Sequence, residues 1–232
     1  MRLTRHNGRA GKHGTYNPKH NDRSFDLENS EHINAELAKK NVYWDCYNGF
    51  RSLAKEELLA DTFEEVEEMF YSSQYRNHVE SQNQRNEKNR HPERNRTTSD
   101  LLKNKKTAPE ETIFQIGTID NHVPPEILLQ VVTDFLVELD TRFGKNVHIL
   151  DWALHLDEGT PHIHERHVFD CENSYGEVAP QQEKALEELG FELPDPTQKP
   201  SKINNRKKTF DSVCRVILFN ITKKYGLDLE EE

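Results

Sequence analysis

The sequence has little of what a membrane or secreted protein needs. None of its apolar runs approaches the roughly 18 residues that span a bilayer, and Met1 to Arg5 has no apolar stretch typical of a signal peptide. Cysteine is scarce: Cys46, Cys171 and Cys214 lie far apart without a CxxC pair, which argues against a disulfide framework and a cysteine-rich zinc site. We therefore expect a cytoplasmic protein with ordinary thiols.

Hydrophobic residues are also few. They make up 33% of the 232 residues and charged residues make up 31%, so the core must share the chain with long solvated stretches. The length suits one large domain. We expect a single domain over 1–232, with an extended basic segment at 1–30 and a helical part at 180–232.

Acidic residues exceed basic ones, and the formal net charge of −10 argues by itself against a nucleic-acid partner. The charge is unevenly placed, however. Basic side chains dominate 1–23 (six against one acidic), 82–106 (eight against three) and 198–208 (five against none). Three basic segments on an acidic body predict a phosphate-binding groove, unless they are solvated loops and a helix end.

The segment from His155 to His164 reads HLDEGTPHIH and contains three histidines. His162 and His164 are two residues apart, which points both imidazoles to one face of a β-strand. The stretch 147–155 also predicts a strand, so a hairpin through 157–161 brings His155 back against the pair. Three imidazoles suit Mn²⁺, Fe²⁺, Co²⁺ or Zn²⁺ better than Mg²⁺ and leave coordination positions open, which is typical of a catalytic metal site. The alternative is three chance histidines on a solvated hairpin.

Hydrophobic periodicity and capping residues supply the scaffold. Helices are predicted at 29–40, from Thr62 to about 90, from Pro125 to Gly144, at 180–189 and at 209–225, and a strand is predicted at 111–118. The glycine-rich first 30 residues predict an extended segment with little regular structure. Together these elements predict an α+β fold with helices packed on an antiparallel sheet.

Two motifs give the chain a resemblance to a known family. The run from His155 to His164 resembles the metal motif of the MobV/Pre family of plasmid mobilization relaxases, within the HUH endonuclease superfamily. Lys19-His20-Asn21-Asp22-Arg23-x-Phe25 resembles the N-terminal motif of that family, and Asn95-Arg96 is a weaker third match. The resemblance covers residues 15–170 and implies an HUH relaxase-like antiparallel sheet, with the histidine hairpin in its centre.

The resemblance implies a plasmid recombination enzyme, acting as a metal-dependent DNA endonuclease and transesterase. Such an enzyme nicks one strand at a plasmid or mobile-element transfer origin, stays attached to the 5′ phosphate and later rejoins the ends, which initiates conjugative mobilization. Its partner would be single-stranded DNA in a bacterial cytoplasm, with a neighbouring DNA hairpin and other relaxosome or coupling proteins left open. Mn²⁺ is the expected ion, with Mg²⁺ and Zn²⁺ as alternatives.

The resemblance also assigns catalytic roles. It makes His20 the nucleophile, since neutral imidazole is abundant at pH 7. It favours Glu158 over Asp157 as the acid that orients a ligand or takes a proton. In most HUH enzymes the nucleophile is a tyrosine, and the alternatives here are Tyr16, Tyr43 and Tyr47.

Three further residues are expected to contact DNA: Asn21, Arg23 and Arg96. Arg23 would clamp the phosphate bidentately. The remaining histidines near the motifs are expected to be spectators, namely His122, His148 and His167. The chain departs from the family where apolar or small residues usually follow the metal pair, because it has Glu165-Arg166-His167 there. The two-residue period turns Glu165 and His167 away from the metal.

Two other functions fit part of the sequence. A zinc hydrolase would use three histidines and an open coordination position, but it explains neither the N-terminal motif nor the basic segments. An accessory protein that binds origin DNA would need no strand scission and would tolerate loss of His20.

Overall fold

The computed structural model describes residues 1–12, 14–25, 33–51 and 61–229. Its strands are β1 (Leu3–Gly8), β2 (Ala10–Gly11), β3 (Gly14–Thr15), β4 (Val42–Asp45), β5 (Gly49–Arg51), β6 (Glu110–Ile116), β7 (Val147–His155), β8 (His162–Glu172) and β9 (Val178–Pro180). Its helices are α1 (Pro18–Asn21), α2 (Ala35–Ala38), α3 (Phe63–Lys88), α4 (Thr98–Lys103), α5 (Pro125–Phe143), α6 (Gln182–Glu188) and α7 (Arg206–Lys224). None of the described helices is long and apolar enough to cross a membrane.

The main sheet is antiparallel, with the strand order β1-β6-β8-β7-β4-β5 and with β9 paired to β8. β7 and β8 are its long central pair. One face of the sheet buries an apolar cluster with α5, α6 and α7, including Phe135, Phe169 and Phe210. The other face packs on α3, where Tyr71 and Tyr75 cover the central strands. The fold is therefore α+β with helices on both faces, as the sequence predicts.

A β-bulge in β7 decides which side chains face α3. The pairing with β8 shifts by one residue between Ile149 and Asp151. Leu150, the extra residue at the bulge, packs with the tyrosines of α3, and downstream Ala153 packs against Phe63, the first residue of α3. Because the extra residue reverses the two-residue alternation, His155 lies on the α3 face and not on the α5 face.

Most predicted elements are present within a few residues of their expected ends. The capping box at Thr62 opens α3, Gly144 caps α5, and the strand predicted at 147–155 is β7. The prediction for the first 30 residues was wrong in one respect, because β1 pairs with β6 and forms an edge of the sheet. Of the helix predicted at 29–40, residues 29–32 lie outside the described residues, and the described part is helical only over Ala35–Ala38 (α2).

Candidate metal and nucleophile site

The histidine hairpin forms as predicted. His155 and His162 are direct cross-strand partners on β7 and β8, and His164 follows on the same face of β8. The ring centroids lie 5.3 Å apart for His155 and His162, and 4.9 Å apart for each of the other two pairs. All three side chains are buried. The three imidazole rings therefore lie next to one another on the α3 face of the sheet, where ligand atoms of His155 and His164 group with His20, and those of His155 and His162 group with Glu158.

Hydrogen bonds at the back of each ring orient the imidazoles. Nε2 of His155 donates to the carbonyl oxygen of Asn21 (2.8 Å), and Nδ1 of His162 donates to that of Thr160 (2.8 Å). Nδ1 of His164 lies 3.1 Å from Glu111 Oε1. These bonds leave one nitrogen of each ring available to a ligand. In ligating histidines the second ring nitrogen usually has such a partner, because it fixes the tautomer and the ring orientation.

The free ring nitrogens fit a metal ion. Nδ1 of His155 is buried and has no hydrogen-bond partner within the described part of the chain, although buried polar atoms are nearly always paired. Burial lowers the pKa of His155 and of His162 below the usual histidine value, and the nearby Arg23 cation adds to the effect. Both imidazoles are therefore neutral at pH 7, the form that binds a divalent ion.

His20 lies beside this cluster. It sits on α1, whose N-cap Asn17 accepts a hydrogen bond from the backbone of Lys19. The His20 ring is 5.3 Å from that of His164 and 5.6 Å from that of His155, and it stacks on Phe25. Its side chain is 48% exposed, unlike those of the other three histidines. Burial, followed by the Arg23 cation, lowers the pKa of His20, so the exposed ring is neutral at pH 7.

Glu158 lies between His20 and His162 of the buried histidine cluster. Its carboxylate oxygens are 3.5 Å from Nε2 of His20 and 3.6 Å from Nε2 of His162, and Arg23 donates to it at 2.7 Å. Burial by itself would raise the pKa of Glu158, but the hydrogen bond from Arg23 and the nearby histidines lower it below the usual value. Glu158 is therefore an ionised acceptor at neutral pH.

A phosphate clamp requires a guanidinium that faces solvent, but the guanidinium of Arg23 is buried. Its side chain is 3% exposed, with Nε and Nη2 donating to both carboxylate oxygens of Asp157 at 2.9 and 2.7 Å. Nη1 donates to the carbonyl oxygen of His20, and the backbone takes a left-handed φ of 58°. In this structure Arg23 thus holds the turn after α1 and the acid Glu158, and its contact with a DNA phosphate stays a prediction.

Asn21 is likewise turned inward. It is fully buried, and its side chain donates to Glu111 Oε2 at 3.1 Å. In this structure the Asn21 side chain thus has an internal partner, and a DNA contact by Asn21 stays a prediction.

Arg96 is exposed but lies away from the histidines. Its backbone is held by the Asn83 side chain on α3 through two hydrogen bonds. Asn83 lies 16 positions after Glu67, which contacts β8 next to the site. At 1.5 Å per helical residue this is about 24 Å along the helix axis. A DNA contact by Arg96 remains a prediction for a separate surface.

The three tyrosines that are alternative nucleophiles have other surroundings. Tyr43 is buried, and its hydroxyl accepts from Asn41. The Tyr47 hydroxyl is hydrogen-bonded to Ser73 on α3. Tyr16 packs over Gly8 and Gly11 beside the β2-β3 hairpin. The ring contacts of the described histidine cluster thus favour His20.

Glu111 belongs to the site although the sequence predicted only the strand that carries it. Glu111 is held by Asn21, by Nη1 of Arg166 (3.4 Å) and by His164, and these partners outweigh burial and lower its pKa to about 2. Arg166 is itself paired with Glu67 of α3. An acidic residue at a buried strand position was the available signal, because such a residue needs a partner.

The opposite face of β8 explains the unusual Glu165-Arg166-His167 run. His167 is buried and lies 3.0 Å from Glu165 and 3.5 Å from Glu110. Lys207 of α7 completes this cluster at 2.6 Å from Glu110. Glu165 and His167 thus face away from the metal ligands, as the two-residue period predicts.

All three predicted basic segments are partly neutralised, and in the second of them Arg85 pairs with Glu177. Arg5 and Lys207 both pair with Asp211, and Arg206 pairs with Glu187. Cations paired internally contribute little to a phosphate-binding surface. The charge count of these segments therefore overstates the positive surface that DNA would meet.

Comparison with known proteins shows a similarity of fold to solved structures. No protein-family model and no curated protein matches the chain. Among solved structures, the MobM relaxase domain (MOBV; Mob_Pre), Mn-bound and in complex with plasmid pMV158 oriT DNA at pH 6.8, matches at 13% identity with a TM-score of 0.53. That match covers 100% of this chain and 90% of the other. The chain has the fold of the MobM relaxase domain.

A second structure of the MobM relaxase domain with oriT DNA and Mn, at pH 4.6, agrees. It has a TM-score of 0.51 at 13% identity, and the match covers 100% of this chain and 91% of the other. Because the identity is low, the similarity to MobM establishes the fold, while the chemistry must be argued from the residues of the site.

Proposed function

We propose that this protein is a relaxase of the MobV/Pre family that nicks and rejoins one DNA strand at a plasmid or mobile-element transfer origin in a bacterial cytoplasm. The observation that carries the proposal is the position of His20. This partly exposed, neutral imidazole lies beside three buried histidines whose second ring nitrogens are held by internal acceptors.

The metal ligands in this proposal are His155, His162 and His164. The unpaired Nδ1 of His155 supports the assignment. Three protein ligands leave coordination positions for a phosphate oxygen, and Mn²⁺ is the ion we propose, ahead of Mg²⁺ and Zn²⁺. When bound, the ion would neutralise the scissile phosphate and orient it for in-line displacement.

His20 supplies the nucleophile. The lone pair of its unprotonated ring nitrogen attacks the phosphorus, an N–P bond forms, and the bond from phosphorus to the 3′ oxygen breaks. The proton on the other ring nitrogen then passes to a base, for which Glu158 is suitably placed at 3.5 Å from Nε2, and the departing 3′ oxygen takes a proton from solvent. The 5′ end stays on His20 as a phosphoramidate, and attack by a 3′ hydroxyl reverses the step.

The DNA partner in this proposal is a single strand that passes over His20. The exposed cations near the far end of α3, including Arg96, supply a second contact, which suits a neighbouring DNA hairpin. Contacts to phosphates would fix the register of the strand without reading its sequence. Other relaxosome or coupling proteins would act on the complex.

The test is a nicking assay on supercoiled plasmid that carries the origin region of the protein's own mobile element, with Mn²⁺ and with chelator. We expect Mn²⁺-dependent open circles and, by mass spectrometry, 5′ DNA attached to His20. His20→Ala should lower the nicking rate by about 10³-fold or more, as loss of a nucleophile does in other enzymes. Tyr16→Phe, from the same part of the chain, should nick at the normal rate.

The outcomes separate the alternatives. An adduct on a tyrosine would keep the relaxase and overturn the nucleophile. Tight, salt-sensitive binding to origin DNA without scission would replace the relaxase with an accessory DNA-binding protein. Metal-dependent hydrolysis of small esters without DNA cleavage would favour the zinc hydrolase.

A further inference from the structure

Asn21 connects the nucleophile to two of the three proposed metal ligands. It directly follows His20 and is fully buried. Its carbonyl oxygen accepts from Nε2 of His155 at 2.8 Å, and its side-chain amide donates to Glu111 at 3.1 Å. The other oxygen of Glu111 lies 3.1 Å from Nδ1 of His164. Asn21 therefore contacts His155 directly and shares the carboxylate of Glu111 with His164.

Glu111 has a fixed position in this chain of contacts. Arg166 lies 3.4 Å from the oxygen that Asn21 also binds, and Arg166 is held in turn by Glu67 of α3. All of these side chains are buried. Because Arg166 holds the Glu111 carboxylate in place, this carboxylate cannot move with Asn21 without losing its pair with Arg166. Displacement of Asn21 therefore breaks its hydrogen bond to Glu111.

The hydrogen bond from His155 to Asn21 favours one tautomer of the His155 imidazole. Nδ1 of His155 can accept a metal ion only when the ring proton is on Nε2. In a buried site, that proton needs an acceptor, and the acceptor present is the carbonyl oxygen of Asn21. The form of His155 that binds metal is thus favoured when the segment carrying His20 is docked.

We propose that metal binding and docking of the nucleophile segment, residues 17–25, are energetically coupled through Asn21. An ion at the three histidines stabilises the docked segment, and the docked segment raises the affinity for the ion by the same factor. The inference rests on the metal site of the proposed function. Asn21 is a positioning residue in this scheme: it ties the placement of His20 to the orientation of the proposed metal ligands.

The first test uses the unaltered protein. Amide hydrogen exchange across 17–25 is measured with Mn²⁺ and with chelator, without DNA. The amides of His20 and Asp22 report on the segment directly, because they donate to Asn17 and Pro18 within α1. We expect Mn²⁺ to slow their exchange. Exchange that is the same with and without bound Mn²⁺ would overturn the coupling.

The second test measures Mn²⁺ affinity by titration calorimetry. Asn21→Ala keeps the carbonyl that accepts from His155 but removes the amide that fastens the segment to Glu111. Because the carbonyl is then less firmly placed, Mn²⁺ binding should weaken by about tenfold or more, which is the usual effect of losing a group that orients metal ligands. It should also remove the Mn²⁺-dependent protection of 17–25. The matched control is Asn146→Ala, which removes another buried asparagine side chain, bonded to the Asp170 carbonyl away from the site. Its Mn²⁺ affinity should equal that of the unaltered protein.

Unchanged Mn²⁺ affinity in Asn21→Ala, or an equal loss in Asn146→Ala, would overturn the role of Asn21. Circular dichroism and thermal unfolding show whether each variant is folded, and the exchange experiment needs no variant. Because both readouts omit DNA, they are independent of nicking. A protein that nicks without coupling refutes only this inference, and one that shows coupling without nicking refutes only the proposed relaxase activity.

Discussion

Asp151 is fully buried at the bulge of β7, and neither of its carboxylate oxygens has a hydrogen-bond partner among the described residues. It lies opposite Arg166 in the sheet, in a region that also contains Glu67. Burial and the negative charge of Glu67 raise its pKa well above the usual range, which outweighs the Arg166 cation. The folded protein therefore retains a proton that the unfolded chain releases near pH 4.

The sign of the effect on stability follows from this pKa. Since the folded state binds the proton more tightly, the free energy of unfolding falls as pH rises above about 4, by about 1.4 kcal/mol for each pH unit up to the pKa of the folded state. We expect Asp151→Asn to be more stable than the unaltered protein at pH 7 and to lose this advantage toward pH 4. Urea unfolding of both proteins across this range measures the difference.

Because both proteins contain the same histidines, the comparison at each pH cancels their titration. If Asp151→Asn is less stable than the unaltered protein at every pH, then Asp151 is ionised and paired in the folded state.

At the scale of elements, α3 joins the nucleophile segment to the sheet. Its first turn has a capping box in which the Thr62 hydroxyl accepts from the Glu65 backbone and the Glu65 carboxylate accepts from the Thr62 backbone. A second cap comes from a distant part of the chain, because Asp22 accepts from the backbone of Phe63 at 2.7 Å. The same end of the helix therefore has one local cap and one supplied by the His20 motif.

This arrangement gives a matched pair of variants. Thr62→Ala and Asp22→Ala each remove a cap of α3, and each should lower the free energy of unfolding by about 1 kcal/mol. Only Asp22→Ala also releases the segment that carries His20. We therefore expect the nicking rate to fall in Asp22→Ala and to stay near normal in Thr62→Ala, measured on origin plasmid with saturating Mn²⁺.

Equal nicking rates in the two variants, both near normal, would mean that Asp22 serves only as a helix cap. Equal loss in both would mean that the whole first turn of α3 positions His20.

At the scale of the whole molecule, a metal that binds only the folded state adds to stability. Mn²⁺ at about 100 times its Kd should raise the free energy of unfolding by about 2.7 kcal/mol relative to chelator. His162→Ala should lose most of this increment at the same ion concentration. His148→Ala should retain it, because His148 lies outside the cluster and bonds to Asp170. Thermal unfolding at pH 7 with Mn²⁺ or chelator makes the comparison.

An equal increment in the His162 and His148 variants would show that the stabilising ion binds elsewhere. Acid should also reduce the increment. Protons compete with the metal for neutral imidazoles, and the lowered pKa values of His155 and His162 delay this competition to more acidic pH than for an ordinary histidine.

The local pattern was sufficient for much of the fold. The β-branched and aromatic residues of 147–155 predicted the first strand of the hairpin, and the two-residue spacing of His162 and His164 predicted their common face. The structure confirms both. Helical periodicity with capping residues predicted α3, α5 and α7 within a few residues. These features could be predicted because side-chain alternation and helix caps depend on residues only a few positions apart.

The sequence by itself determined the histidine hairpin, the α+β composition of the chain and the motif that contains His20. Only the tertiary structure decided the bulge that turns His155 toward α3 and the inward orientation of Asn21 and Arg23. The partners of these two side chains, Glu111 and Asp157, are 90 and 134 positions away along the chain. A side chain's type tells that it needs a partner, but which partner it meets depends on packing between distant segments, and no local pattern encodes that.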